Sequence, residues 1–342
     1  MARYDAIFDT LGLRAWCDSD KVEAPLSMAQ LLAQAQGGEE ASTPGLPFPS
    51  LDVLHVACAK IGQTRDLTAG LEDGFLAMRP ELKFVLDPIT QPLSWLLDGT
   101  LFVFEAAPWW VMIPVLLLVT WLVSRSRAVT GFVTFVLLFF AFIDHYEVAM
   151  QTLAIVFVCT GISVLFGVPI GIAMSRSNTA QRLIVPILDL LQTLPTFVYL
   201  IPLIFLFSVT ESKLYGIAII LYAIVPVIRL TDLGIRLVDP DVIEAADAFG
   251  LTARQKLTRV QLPLALPNIM AGVNQTIMMS LAMVVIASLV AAPGLGVLVL
   301  QGIRSSDLGV GIVAGLGIVL LAVVLDRVSK AALARVDTRS NK

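Results

Sequence analysis

The sequence predicts an all-α, polytopic membrane protein. Two observations carry this. Of 342 residues, 57% are hydrophobic and only 15% charged, where a soluble domain carries about 25% charged residues. The apolar residues also fall in runs of bilayer-crossing length, nearly all of them after Pro108. Mean hydropathy is +0.84.

A span takes roughly 20 apolar residues. Seven runs qualify as transmembrane helices: 108–123, 128–143, 148–174, 183–208, 214–229, 268–292 and 308–325. The first two are short. The third and fourth are long, and their prolines (Pro169, Pro186, Pro195, Pro202) predict kinks, which neighbouring helices tolerate by satisfying the freed carbonyls. The basic residues set the orientation. Arg125, Arg127, Arg176, Arg182, Arg229, Arg236, Arg254, Lys256, Arg259, Arg327, Lys330, Arg335, Arg339 and Lys342 fall on one side, against Lys213 and Arg304 on the other. Fourteen against two puts the C-terminus in the cytoplasm.

Seven spans then put the N-terminal tail outside. Residues 1–107 carry fifteen acids and seven bases, which suits a translocated segment. No basic n-region or apolar h-region marks a cleaved signal in residues 1–30, and an even span count would reverse the tail. Within the tail, 37–50 (GGEEASTPGLPFPS) reads as a flexible break. Residues 89–105 have the apolar load of a helix lying in the interface. Cys17, Cys58 and Cys159 have no metal-ligand spacing, nor do His55 and His145. Cys159 reads as a buried thiol; Cys17 and Cys58 pair only if the tail faces an oxidising compartment.

The longest basic connection is chemically informative. It reads DPDVIEAADAFGLTARQKLTRVQLPLALP from Asp239. Asp239 caps and Pro240 starts a helix, with Asp241 and Glu244 as an alternative capping box. Val242, Ala245, Ala246 and Phe249 share one face; Asp241 and Glu244 share another with Ala248, and Asp247 lies near it. Gly250 supplies a left-handed stop, and Thr252 with Gln255 caps a second short helix ending at Pro263. A helix resting on the membrane and a protrusion docking a partner both fit this pattern.

The spacing Glu244-Ala245-Ala246, Gly250, Val260, Leu262-Pro263 resembles the EAA loop of ABC-importer permeases, with valine at 260 where isoleucine is usual. The resemblance implies a type I ABC importer permease fold and makes Asp241, Glu244, Ala245, Ala246, Asp247, Gly250, Leu262 and Pro263 the residues that meet a separate cytoplasmic ATPase. Over residues 148–330, stretches such as LDLLQTLPTFVYLIP (188–202) and QLPLALPNIMAGVNQTIMMSLAMVVIASLV (261–290) are similar to the glycine betaine/proline betaine permease family. Relatives carry a glycine ahead of GLG where this chain has Pro293. The family implies a homodimer in the bacterial inner membrane, with two ATPase subunits inside, a substrate-binding protein outside, and a quaternary or methylated amine as cargo: glycine betaine, proline betaine, choline, carnitine or trimethylamine N-oxide. It implies no cofactor in this chain, ATP and Mg being used by the partner, and no nucleic acid.

The implied organisation is an acidic tail at 1–107, two additional spans at 108–147, the permease core at 148–330 with the coupling loop 239–263, and a cytoplasmic end at 331–342. Candidates for the translocation path are Asp189, Gln192, Thr193, Phe197, Tyr199, Asn274 and Gln275. Asp189 stands out, because a carboxylate at membrane depth faces a cavity or finds a partner. Gln192, Asn274 and Gln275 are candidate partners, either in a polar network or beside the solute. Gly311 and Gly315 form a GxxxG pair for close helix approach, within the subunit or at a dimer seam. Two rival classes have less to carry them. A secondary transporter needs its own coupling device, usually internal repeats, and an enzyme needs a nucleophile–base pair or a metal cluster. No GxSxG, HExxH or GxxxxGK[ST] occurs. An importer of an unrelated small solute, such as an amino acid, remains the alternative within the ABC class.

Overall fold

The computed structural model describes residues 11–12 and 64–340, with side chains at 11–12 and 68–334. Cys17, Cys58, His55 and the break at 37–50 lie outside the described residues, as do the side chains of Arg335, Arg339 and Lys342. Two units are distinguished, Met1–Pro80 and Glu81–Lys342. Every regular element among the described residues is helical.

The first helix, α1, runs Thr64–Ala106 and meets α2 (Trp109–Ser124) at 116° across Ala107–Pro108. Then follow α3 (Arg127–Phe142), α4 (Tyr146–Arg176), α5 (Asn178–Thr193), α6 (Thr196–Leu206) and α7 (Ser212–Arg236). Two short helices, α8 (Pro240–Ala248) and α9 (Ala253–Lys256), lead through a π turn at Leu257–Gln261 into α10 (Leu262–Ala287). After a 3₁₀ turn at Ser288–Val290, α11 (Leu295–Ser305) and α12 (Leu308–Ser340) complete the chain.

All seven apolar runs of the sequence lie on helices. Four spans are long and apolar enough to cross alone: α4, α7, Ala253–Val290 and α12. The bent pairs α1/α2 and α5/α6 raise this to six, and α3 is a shorter apolar helix. The fourth run, 183–208, is corrected: it is no kinked rod but two half-helices meeting at 95° across Leu194–Pro195. Proline at 195 denies its N–H to the ladder and biases Leu194 towards extended backbone, and Leu194 is extended at φ −66°, ψ 132°. Arg229 is likewise relocated. It sits two turns inside α7 rather than in the loop that follows.

At the centre of the bundle stands α7, packed most extensively against α10 and α4. Glycines make this closeness possible. A Cβ at Gly171 of α4 would lie 2.6 Å from Thr231 Cβ and 2.7 Å from the Ile228 carbonyl oxygen. One at Gly272 of α10 would lie 3.0 Å from Val227 Cα. Beside this core a second cluster joins α2, α3, α4, α11 and α12 around fully buried Phe140, Met150 and Leu295. Of the GxxxG pair, Gly311 meets Gly302 of α11 inside the subunit, while Gly315 faces open space. Cys159 is buried, 3.9 Å from the Gly216 carbonyl.

The 89–105 segment is helical, as part of α1. Its Leu93 and Leu97 close over Gly216, and its acids reach the N-terminal end of α7. Lys213, 3% exposed, donates to Asp87 at 2.7 Å and pairs with Glu211 at 2.8 Å, while Ser212 donates to Asp98. Gln151 of α4 donates to Glu105 at 2.9 Å. Partial desolvation pushes the Glu211 carboxyl up, but the Lys213 ammonium beside it prevails and holds the group below its ordinary value. Elsewhere α1 exposes Phe84, Ile89, Trp95 and Phe102.

Candidate coupling and transport site

The 239–263 loop is built by its own caps. The Asp239 carboxylate accepts from the Asp241 N–H at 2.9 Å, and Pro240 starts α8; Asp239, not Asp241, is therefore the cap. Gly250 lies at φ +71°, where its N–H reaches the Asp247 carbonyl and Leu251 N–H reaches Ala246. Satisfying these last carbonyls requires a left-handed residue, and glycine adopts that conformation without steric cost. Thr252 and Gln255 form the reciprocal capping box of α9. Lys256 then donates to both oxygens of Asp247, at 2.7 and 2.8 Å, and ties α9 back to α8. Leu257 and Leu262 anchor the loop in a cluster with Ile235, Ala265 and Ile269.

Only Ala246 of α8 is buried. Asp241, Glu244 and Ala245 are exposed, as are Val242 and, at 86%, Phe249. Of the apolar stripe, Val242, Ala245 and Phe249 thus face away from the body of the chain while Ala246 packs inward, and Leu262 and Pro263 form the root of the protrusion, at the start of α10.

The path candidates divide into two groups. Asp189 pairs with Arg229 of α7, both side chains about half exposed. The expected partners are corrected. Gln192 points to Met279 sulfur at 3.8 Å, and Asn274 donates to Asp326 at 2.9 Å and accepts from Ser329 at 2.7 Å. Asp189, Gln192, Thr193, Phe197 and Gln275 are exposed on α5, α6 and α10, whereas Tyr199 is buried and Asn274 half-buried. Sequence reading missed Arg229 as a partner because it lies 40 residues away, on another helix. It also missed a polar cluster at the other end of α5. There Arg236 donates to Asp232 (2.8 Å), Met174 O (2.8 Å) and Asn178 (3.1 Å), and Gln181 donates to Asp232 (2.9 Å). Among the described residues no group of three or more His, Cys, Asp or Glu is placed to hold a metal ion.

The family model of the binding-protein-dependent transport system inner membrane component matches residues 163–341, over half of the chain. The chain belongs to that family. This permease is 41% identical over 297 residues to the glycine betaine/proline betaine transport system permease protein ProW of Escherichia coli, covering 86% of this chain and 81% of that one. It is 41% identical to the glycine betaine transport system permease protein OpuAB of Bacillus subtilis, covering 70% and 80%. Against the trimethylamine N-oxide transport system permease protein TmoV of Ruegeria pomeroyi it is 40% identical, covering 56% of the permease and 29% of that chain. Among solved structures, a chain of the inward-facing MetNI methionine ABC transporter superposes with a TM-score of 0.51 at 20% identity, covering 54% of the permease and 93% of that chain. That likeness establishes the type I importer permease fold.

Proposed function

We propose that this permease carries quaternary or methylated amines across the bacterial inner membrane as half of a homodimer. A cytoplasmic ABC ATPase, using ATP and Mg, drives it, and an external binding protein supplies the solute. The observation that carries this reading is 41% identity with a glycine betaine/proline betaine permease over 86% of the chain. On this reading the α8–α9 protrusion docks the ATPase through Phe249, Val242 and the surface around Glu244-Ala245. Asp189, Gln192, Thr193 and Phe197 face the path, and the Asp189–Arg229 pair offers an anion and a cation side by side to a zwitterionic solute. Residues 108–147 add two spans to the 148–330 core.

Proteoliposomes holding the permease and its ATPase, with ATP on the ATPase side and the binding protein opposite, test the substrate class. Radiolabelled glycine betaine, choline or trimethylamine N-oxide accumulates and methionine does not. Accumulation of methionine and of none of these amines overturns the substrate class.

For sidedness, the basic bias puts the 239–263 loop and the C-terminus in the cytoplasm. Lys213 lies at the other end of α7 from that loop, and its contact with Asp87 supports an external tail. Single cysteines at Ser42 and Ser340, in a background without Cys17, Cys58 and Cys159, then differ towards an impermeant maleimide on spheroplasts. The first is labelled and the second is protected; equal protection of both puts the tail in the cytoplasm.

A further inference from the structure

The polar cluster at the cytoplasmic end of α7 lies where three helices meet the root of the protrusion. Arg236 is the last residue of α7, and the cap of α8, Asp239, follows three residues later. Its guanidinium holds the end of α4 through the Met174 carbonyl and the start of α5 through Asn178. Its Nε donates to Asp232, whose second oxygen accepts from Gln181 of α5. Asp232 is 6% exposed, so the carboxylate needs these donors. A guanidinium is suited to this place, since its planar fork bonds several acceptors at once and an ammonium is a single point charge.

The helices it joins differ in how firmly they are held. Close glycine contacts fix α4 and α10 to α7. By contrast α5 fully buries one residue, Leu188, against Met174, Val225 and Ile228, with Ile184, Val185 and Leu191 partly buried beside it. Its first turn is fastened to α7 by Gln181–Asp232 and Arg236–Asn178. Further along the same helix sit Gln192 and Asp189, the latter paired with Arg229 of α7 about two turns from the clasp.

We propose that Arg236, Asp232 and Gln181 form a clasp that couples displacement of α8 to α5, so that ATPase closure reaches the path-lining residues of α5. Arg236 and Asp232 are positioning residues in this scheme, acting through the orientation of α5 and not by touching the solute. The inference rests on the ATPase-docking reading of α8. A push on the protrusion reaches α7 through Leu237 and Val238, and the clasp passes it to the first turn of α5, a helix that fully buries only Leu188. Without the clasp, α8 still engages the ATPase and hydrolysis continues, but the first turn of α5 no longer follows and the displacement reaching Asp189 and Gln192 is reduced.

The test uses the full permease–ATPase complex in proteoliposomes, with binding protein and radiolabelled glycine betaine, and reads hydrolysis and uptake in the same vesicles. Gln181→Leu removes the α5 donor to Asp232; Arg236→Lys keeps the charge and loses the fork. Both should retain hydrolysis within about twofold of wild type and consume roughly tenfold more ATP per solute carried, the scale of a typical coupling energy. Asp232→Asn should behave alike; if it fails to insert, the other two variants decide. A wild-type ratio of ATP to solute in Gln181→Leu and Arg236→Lys overturns the clasp alone. So does a parallel fall of hydrolysis and uptake, which is the signature of a merely structural role. Absence of solute-stimulated hydrolysis in the wild-type complex overturns the docking reading, and the clasp with it.

Discussion

Gly250→Trp should leave the permease inserted and folded while abolishing solute-stimulated ATP hydrolysis in the complex. Gly250 lies at φ +71°, and a Cβ placed there meets nothing within 4 Å. The folding cost is therefore confined to the backbone, about 1–2 kcal/mol for an L-residue in the left-handed region. Docking is affected differently. Tryptophan adds a bulky ring next to exposed Phe249, on the surface proposed to dock the ATPase, and it strains the turn that Gly250 N–H to Asp247 closes. Gly250→Asn is the control, because asparagine tolerates the left-handed turn and adds little bulk; it should hydrolyse ATP nearly normally. Wild-type stimulation in the tryptophan variant would remove the protrusion from the interface.

Gly171→Leu should be the most damaging single change in the membrane core. The first new carbon would sit 2.7 Å from the Ile228 carbonyl oxygen and 2.6 Å from Thr231 Cβ. A clash with backbone cannot be relieved by a rotamer change, so α4 and α7 must separate along their shared length. Overpacking typically costs about 1–3 kcal/mol, and this geometry belongs at or above the top of that range. Gly161→Leu on the same helix is the matched control, since nothing lies within 4 Å of a Cβ there. Size-exclusion profiles and thermal unfolding in detergent should show Gly161→Leu near wild type and Gly171→Leu aggregated or markedly less stable. Equal stability of the two would mean that the α4–α7 contact is not tight.

What the sequence reveals best is what local chemistry decides. Asp239-Pro240, Gly250 and the Thr252/Gln255 box each act within a few residues, and each forms the cap or turn its residue type favours. The broken span was harder to read. Pro114, Pro169, Pro186, Pro202, Pro226 and Pro267 all sit inside continuous helices, whereas Pro108 and Pro195 mark breaks. The presence of a proline does not by itself separate these cases. Long-range pairs leave no local trace either. Asp87 meets Lys213 from 126 residues upstream, and Asp189 meets Arg229 from another helix. The i, i+4 spacing of Asp232 and Arg236 was the one signal available for the clasp. It gave no hint of Gln181 or of the Met174 carbonyl. Helix α11 escaped notice because its eleven residues fall short of a span.

The π turn at Leu257–Gln261 bears on how the protrusion and the membrane rod beyond it can vary in length. A π turn holds one residue more than the α turn it replaces, as though a single amino acid had been inserted into a finished helix. Here the Leu262 N–H reaches back to Leu257, five residues earlier, and Leu257 is buried at the root of the loop. The turn stands between α9, which Lys256 fastens to α8, and the 26-residue α10, whose Gly272 is pressed against α7. Losing one residue inside the turn restores ordinary α-helical winding and keeps the faces on either side in register. Losing one from within α10 itself rotates everything beyond it by about 100° and carries Gly272 off its contact. On the α10 side of the coupling unit, one place in the chain therefore tolerates a change of length, a five-residue stretch that can shorten without turning the helix it feeds.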